Sequence, residues 1–204
     1  MRILHQRNGR ESIGEGRGPV ASFLGGGLSW WSQYTDGQSR YEGWFIGRDD
    51  TLPHVFYKIL ERVEYRGASL ETIICRDDGV IWQYADGVQI NWQLQGQTLQ
   101  ISANKKVALH IYLDMRGIYT QPEFERNYSL SEQDGGLLVH YTDPRTDRPL
   151  FLHFNGISPK NVTDGGLWEK VVYPWDAARH SEPSSFYVYR LGVLETQSLT
   201  LGAG

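Results

Sequence analysis

Between residues 88 and 113 apolar and polar residues alternate in runs separated by short turn sequences, and this pattern leaves the chain little choice of fold. Val88, Ile90, Trp92 and Leu94 alternate with Gln89, Asn91, Gln93 and Gln95, so an extended segment here has one apolar face and one amide-rich face. Asp86-Gly87 precedes it and supplies the positive φ of a tight hairpin turn back to residues 80–85. The alternation returns after Gly96 with Leu99 and Ile101. After Asn104-Lys105 it returns again, with Val107, Leu109, Ile111 and Leu113 set against His110, Tyr112 and Asp114. Hairpins with one apolar face each must bury those faces against another sheet. The expected fold is therefore all-β, a two-layer antiparallel β-sandwich. Val88, Ile90, Trp92, Leu94, Val107, Leu109, Ile111 and Leu113 should point inward, because a one-residue slip would expose them all.

The flanking sequence extends the same expectation. Strands are predicted over residues 40–46, 68–75, 128–130, 137–142, 150–154, 167–173, 186–191 and 196–201, with a turn at Gln133-Asp134-Gly135-Gly136. Residues 54–65 suit a helical face nearly as well as a strand, and strand is the reading adopted. The count reaches roughly 13 or 14 strands, more than one twisted open sheet usually holds, and this again argues for two packed layers. The 204 residues suit one domain spanning the whole chain, with residues 1–18 a loosely held arm because glycines and charges dominate there.

Charge and composition exclude several classes of function. A net charge of −4 and a pI near 5.9, with no Lys/Arg run, remove the footprint of a nucleic-acid binder. No apolar run is long enough to span a bilayer or serve as a secretory h-region, and Cys75 is the only cysteine, so a soluble protein of the reducing cytoplasm is expected. On that reading the sequons at Asn127 and Asn161 are chance matches.

Motifs for chemistry are sparse. His5, His54, His110, His140, His153 and His180 stand singly, without metal-ligand spacing, and no nucleophile elbow or phosphate loop is present. No metal and no cofactor is expected. Three of these histidines, His110, His140 and His153, fall on strands and would have to converge with a carboxylate to act as acid and base. Candidate carboxylates, among them Asp49, Asp50, Asp77, Asp78, Asp143, Asp147, Asp164, Glu169, Asp176 and Glu182, lie mostly in turn-like segments where solvated loop chemistry is the ordinary explanation. Aromatics are more promising: Trp30, Trp31, Tyr34, Trp44, Trp82, Trp92, Trp168 and Trp175 offer flat faces that suit the C–H patches of sugar rings. Core packing explains Trp82 and Trp92 better, since they sit in regular strands.

Residues 25–46 concentrate the functional signal. Gly25-Gly26-Gly27 permits close backbone approach and leads into paired Trp30 and Trp31, a Thr35-Asp36-Gly37 turn and a strand opened by Arg40. Against this stands a Gly-rich hairpin whose tryptophans fill the core. The functional reading joins Trp30, Trp31, Arg40 and Tyr41 with Trp175 and Arg179 of the late polar loop into one partly exposed patch, since a sandwich gathers loops at its ends.

Four stretches together resemble the N-terminal β-sandwich domain of bacterial and archaeal-type glycogen debranching enzymes, the amylo-alpha-1,6-glucosidases. They are Leu24-Gly25-Gly26-Gly27, Ser39-Arg40-Tyr41-Glu42-Gly43-Trp44-Phe45, Leu113-Asp114-Met115-Arg116, and the block from Trp168 to Phe186 with Tyr173-Pro174 and Arg179. Glu42 stands where that family usually has histidine, and Ala178-Arg179-His180 where it has an arginine-glycine pair. The resemblance implies a supersandwich related to galactose mutarotase-type sandwiches. It also implies a partner, a helical (α/α)6 barrel in cis or in trans that carries the catalytic carboxylates. This chain would then be a non-catalytic accessory domain of α-glucan metabolism that packs on the barrel and shapes its substrate cleft. The alternatives are a free-standing carbohydrate-binding module, in which Trp30, Trp31 and Trp175 stack on glucose units, and a mutarotase-like sugar epimerase with a strand histidine as general acid.

Overall fold

The computed structural model describes residues 2–7, 10–13, 28–31, 43–47, 56–76, 79–95, 98–115, 126–142, 150–172 and 185–203. These form sixteen strands and a 3-10 turn, Pro159–Asn161. The first seven strands are β1 (Arg2–Arg7), β2 (Arg10–Ile13), β3 (Leu28–Trp31), β4 (Gly43–Gly47), β5 (Phe56–Leu60), β6 (Arg62–Tyr65) and β7 (Leu70–Cys75). The middle of the chain supplies β8 (Gly79–Tyr84), β9 (Gln89–Gln95), β10 (Thr98–Leu113), β11 (Asn127–Gln133) and β12 (Gly136–Thr142). The last four are β13 (Leu150–Asn155), β14 (Val162–Thr163), β15 (Leu167–Val172) and β16 (Ser185–Ala203). The expected all-β, sandwich-like architecture is what the chain adopts.

The middle hairpin forms where the alternation places it. Gly87 takes φ +79 and the Val88 amide donates to Asp86 Oδ1 at 3.1 Å, so the Asp-Gly pair turns β8 into β9 with Trp82 opposite Ile90. Asn104 and Lys105, expected to form the next turn, instead lie inside β10, which runs for 16 residues. Four residues, 103–106, face a single residue of β16 between the Ser102–Ser198 and Val107–Thr196 pairs, and the excess is absorbed as a bulge rather than a chain reversal. The bulge has its own task. Asn104 accepts from the Gln89 amide at 3.0 Å and donates to the Gly87 carbonyl at 2.9 Å, and Lys105 lies 3.6 Å from Asp86, so the preceding turn is tied down by the strand that follows it.

Long strands join the layers. The first half of β10 pairs with β9 and its second half with β6, while β16 pairs with β15 and β14 at its start and with β13 at its end. The separate strands expected over residues 186–191 and 196–201 are thus one. Thirteen strands share a single hydrogen-bonded sheet with path order β11-β12-β13-β16-β10-β9-β8-β7-β1-β2, and β3, β4 and β5 form a second, smaller sheet. Bulges let one sheet bend over itself, so the usual limit on open-sheet width does not apply. Among the described residues the pairing is antiparallel except for β1 with β7. Residues 2–7 and 10–13, expected within a loose arm, pair as strands, with Ile3 opposite Ile73. A charge-rich composition did not prevent extended pairing there.

An apolar cluster runs along the sheet path from β12 to β7. It includes Ile73, Val80, Ile90, Trp92, Leu109, Ile111, Leu113, Leu137, Val139, Leu152, Phe154, Leu194 and Leu201. Of the inward set expected from the alternation, Val88, Ile90, Trp92, Val107, Leu109, Ile111 and Leu113 are buried. The side chain of Leu94 lies outside the described residues.

Candidate aromatic platform and its ionic support

The polar face of β10 ends differently from the way its alternation suggests. Tyr112 and Asp114 occupy positions that read as solvent-facing, yet both are fully buried. Asp114 carries a carboxylate into the interior, which is tolerable only with a charged partner. That partner is Arg126, equally buried, whose Nη1 lies 3.3 Å from Asp114 Oδ1 and whose Nη2 donates to the Tyr187 carbonyl at 2.7 Å.

Above this pair sits Trp168. The Arg126 guanidinium carbon lies 4.8 Å from the center of the Trp168 ring, a cation–π contact that takes one face of the indole. Tyr189 meets the ring edge-on at 5.6 Å and Tyr128 meets it tilted at 5.6 Å. Tyr128 stacks on Tyr189 with centroids 4.6 Å apart, touches buried Tyr141 at 5.0 Å, and accepts the Met115 amide at 2.9 Å. Burial raises the Tyr189 phenol above its ordinary value. Cross-strand pairing explains the arrangement, since Trp168 is opposite Tyr189 and Lys170 opposite Tyr187 on one side of the β15–β16 pair. Trp168 nevertheless remains 40% exposed and Tyr187 39% exposed. An exposed indole whose orientation is fixed from below by a buried ion pair and two tyrosines is a rigid, flat, apolar surface with hydrogen-bonding neighbors.

On the opposite side of β15 and β16 an alternating chain of charges runs across the sheet. Arg66 holds Glu64 at 2.9 Å, Arg62 lies 2.9 Å from Glu64 and 3.6 Å from Glu169, and Arg190 lies 3.6 Å from Glu169 and pairs with Asp164. The Arg62 Nε sits off the hydrogen-bond axis to Glu64, so that contact is electrostatic. Tyr112 lies beneath, with the Arg62 guanidinium 4.1 Å above its ring and Arg66 Nη2 donating to its hydroxyl at 2.6 Å. His110 is the register partner of Glu64. Burial and the nearby Arg66 and Arg190 charges push His110 below the usual histidine value, against the opposing pull of Glu64 and Asp164.

Two of the strand histidines, His140 and His153, lie on the neighboring strands β12 and β13, and the third lies apart from them. His110 belongs to β10, whereas His140 stacks on Phe151 at 4.7 Å and His153 engages the Gln133 carbonyl at 3.0 Å. The carboxylate nearest His110 by register, Glu64, is already held by two guanidiniums, which leaves it poorly placed for the acid–base pair an epimerase needs. Among the described residues no group of three or more His, Cys, Asp and Glu is placed to hold a metal, and no helix is long and apolar enough to cross a membrane.

Of the patch expected from the sequence, Trp30 and Trp31 lie on β3, opposite Trp44 and Gly43 of β4, with side chains outside the described residues. Arg40, Tyr41, Trp175 and Arg179 lie outside the described residues altogether. What sequence reasoning missed is Arg126, Tyr128 and Tyr189, which bring Asp114 and Trp168 together across more than fifty positions of chain. The available signal was Asp114 itself, a charge following directly on the apolar run that ends in Leu113. Comparison of the chain with protein-family models, with curated proteins and with solved structures finds no match in any of the three. The fold and the platform define a class, an all-β sandwich-like protein with a fixed exposed aromatic surface.

Proposed function

We propose that this chain is a non-catalytic β-sandwich module of cytoplasmic α-glucan metabolism, of the type that forms the N-terminal domain of glycogen debranching enzymes, and that it contacts the glucan beside a helical glycosidase barrel. The observation that carries this reading is the half-exposed indole of Trp168, held from beneath by Arg126 and Asp114. Two of the stretches that resemble debranching enzymes, one containing Asp114 and one opening at Trp168, meet at this point. A glucose ring presents a C–H face to such an indole and hydroxyls to its rim, and the ring loses little entropy because its support is already in place. The patch of Trp30, Trp31, Arg40, Tyr41, Trp175 and Arg179 belongs to the same proposal as a second contact for glucan or barrel.

The test is titration of the full chain with maltoheptaose, followed by tryptophan fluorescence. Trp168→Ala should weaken binding by about 2 kcal/mol, roughly thirtyfold, and Trp31→Ala should do the same if the second patch takes part. Absence of affinity in the wild-type chain would end the glucan reading. The purified chain should release no glucose from a branched dextrin, and turnover abolished by one Asp or Glu substitution would show that a catalytic site exists here after all.

A further inference from the structure

The strand β11 ends the path of the large sheet and, among the described residues, pairs with β12 alone. Its seven residues run in unbroken register, from Asn127 opposite Thr142 to Gln133 opposite Gly136. From Ser129 onward the strand is exposed, and Leu130 is 38% exposed. An edge of this kind offers a row of unpaired amides and carbonyls, and natural sheets guard such edges with prolines, lysines, bulges or short length. Among the described residues β11, with sequence Asn-Tyr-Ser-Leu-Ser-Glu-Gln, has one charge, Glu132, and no proline, lysine or bulge, and the 3-10 turn Pro159–Asn161 is the element beyond its partner strand that approaches it. The other end of the path is protected: β2 has four residues, with Arg10 and Glu11 among them.

The β11 sequence is close to its own mirror image about Leu130. In an antiparallel pair of two such strands centered there, Leu130 faces Leu130, Ser129 faces Ser131, Tyr128 faces Glu132 and Asn127 faces Gln133. Apolar meets apolar, hydroxyl meets hydroxyl, amide meets amide, and no like charges are opposed. Moving the center to Ser131 sets Leu130 against Glu132, and moving it to Glu132 sets two carboxylates face to face. Only the register on Leu130 opposes all seven residues of the strand to one another, and an antiparallel self-pair is the isologous contact that a two-fold dimer requires.

We propose that two copies of this chain associate edge to edge through β11, across a two-fold axis at Leu130, so that the large sheet continues from one protomer into the next. The proposal stands independently of the glucan reading. It is tested by sedimentation velocity of the full chain over a concentration series. The wild type should shift from monomer to dimer as concentration rises. Leu130→Lys and Leu130→Glu, each of which opposes like charges at the axis, should sediment as monomers, and an equimolar mixture of the two should recover the dimer. Charged residues at this exposed edge position are compatible with the fold, which far-ultraviolet circular dichroism of both variants checks. A wild type that remains monomeric overturns the proposal. So do single variants that still dimerize, or a mixture of the folded variants that does not.

Discussion

Arg126 is the residue on which the platform depends. It neutralizes buried Asp114, anchors the Tyr187 carbonyl and lies against Trp168, so its loss removes a counter-charge and a packing surface together. Arg126→Met should cost about 3–5 kcal/mol, the range for breaking a buried ion pair by removing one member. The double variant Arg126→Met with Asp114→Leu should recover much of that loss, because no charge is then left behind. Urea denaturation of the wild type and these two variants measures the difference. Gly192 is a second single-residue constraint. Its φ of +145 and a Cβ that would fall 2.5 Å from the Thr163 carbonyl oxygen exclude side chains. Gly192→Ala should destabilize by about 1–3 kcal/mol in the same assay.

At the scale of the element, β10 and β16 connect the two halves of the sheet because each changes partner along its length. Their mutual register shifts twice, between Ser102 and Val107 and between Ile111 and Tyr112. Gly192 sits at the second shift, and Asn104 stands in the first. Replacing Asn104 with alanine removes both its bonds to the β8–β9 turn, and the expected cost is about 1 kcal/mol, as these groups stay partly solvated. Amide exchange should locate the effect: the Gln89 N–H should exchange faster while core amides of β12 and β13 keep their protection. Uniform acceleration across all strands would mean that the clamp governs global stability instead. The elements on either side of this bulge were legible from alternation alone. Their union into one strand was not, because an Asn-Lys pair serves a turn and a bulge equally well and only the neighboring strand selects between them.

For the whole molecule, the charge ladder across β6, β15 and β16 links stability to pH through His110. Its folded pKa lies below the usual histidine value, so the unfolded chain takes up a proton first as pH falls. Stability contributed by neutral His110 is therefore full above the unfolded value and declines as pH drops below about 6.5, with a slope of at most about 1.4 kcal/mol per pH unit. His110→Gln should flatten that part of the profile in thermal melts between about pH 7 and pH 5, a window in which histidine is the side chain that ordinarily titrates. An unchanged profile would assign the pH dependence to other groups. The acid limb has a separate contribution from Asp86. Its carboxyl is held below its ordinary value by the Tyr65 hydroxyl, which donates to it at 2.5 Å, so this contribution is lost only as pH falls through the carboxylate range.

The sequence alone determined the all-β class, the β8–β9 hairpin and, Leu94 aside, the inward set from Val88 to Leu113. Each follows from a local rule, the period of two along a strand or the positive φ of an Asp-Gly turn, and neither rule needs a distant partner. It also marked Trp168 as a candidate aromatic surface. Tertiary structure decided what that tryptophan rests on. Asp114, Arg126, Tyr128, Trp168 and Tyr189 come from four separate segments, and nothing in the period of any one strand records that the others will meet it. The same holds for Arg62, Glu64, Glu169 and Arg190, each an ordinary surface charge in sequence. They became a ladder only when β6, β10, β16 and β15 were laid side by side, because strand pairing brings together residues that the chain keeps far apart.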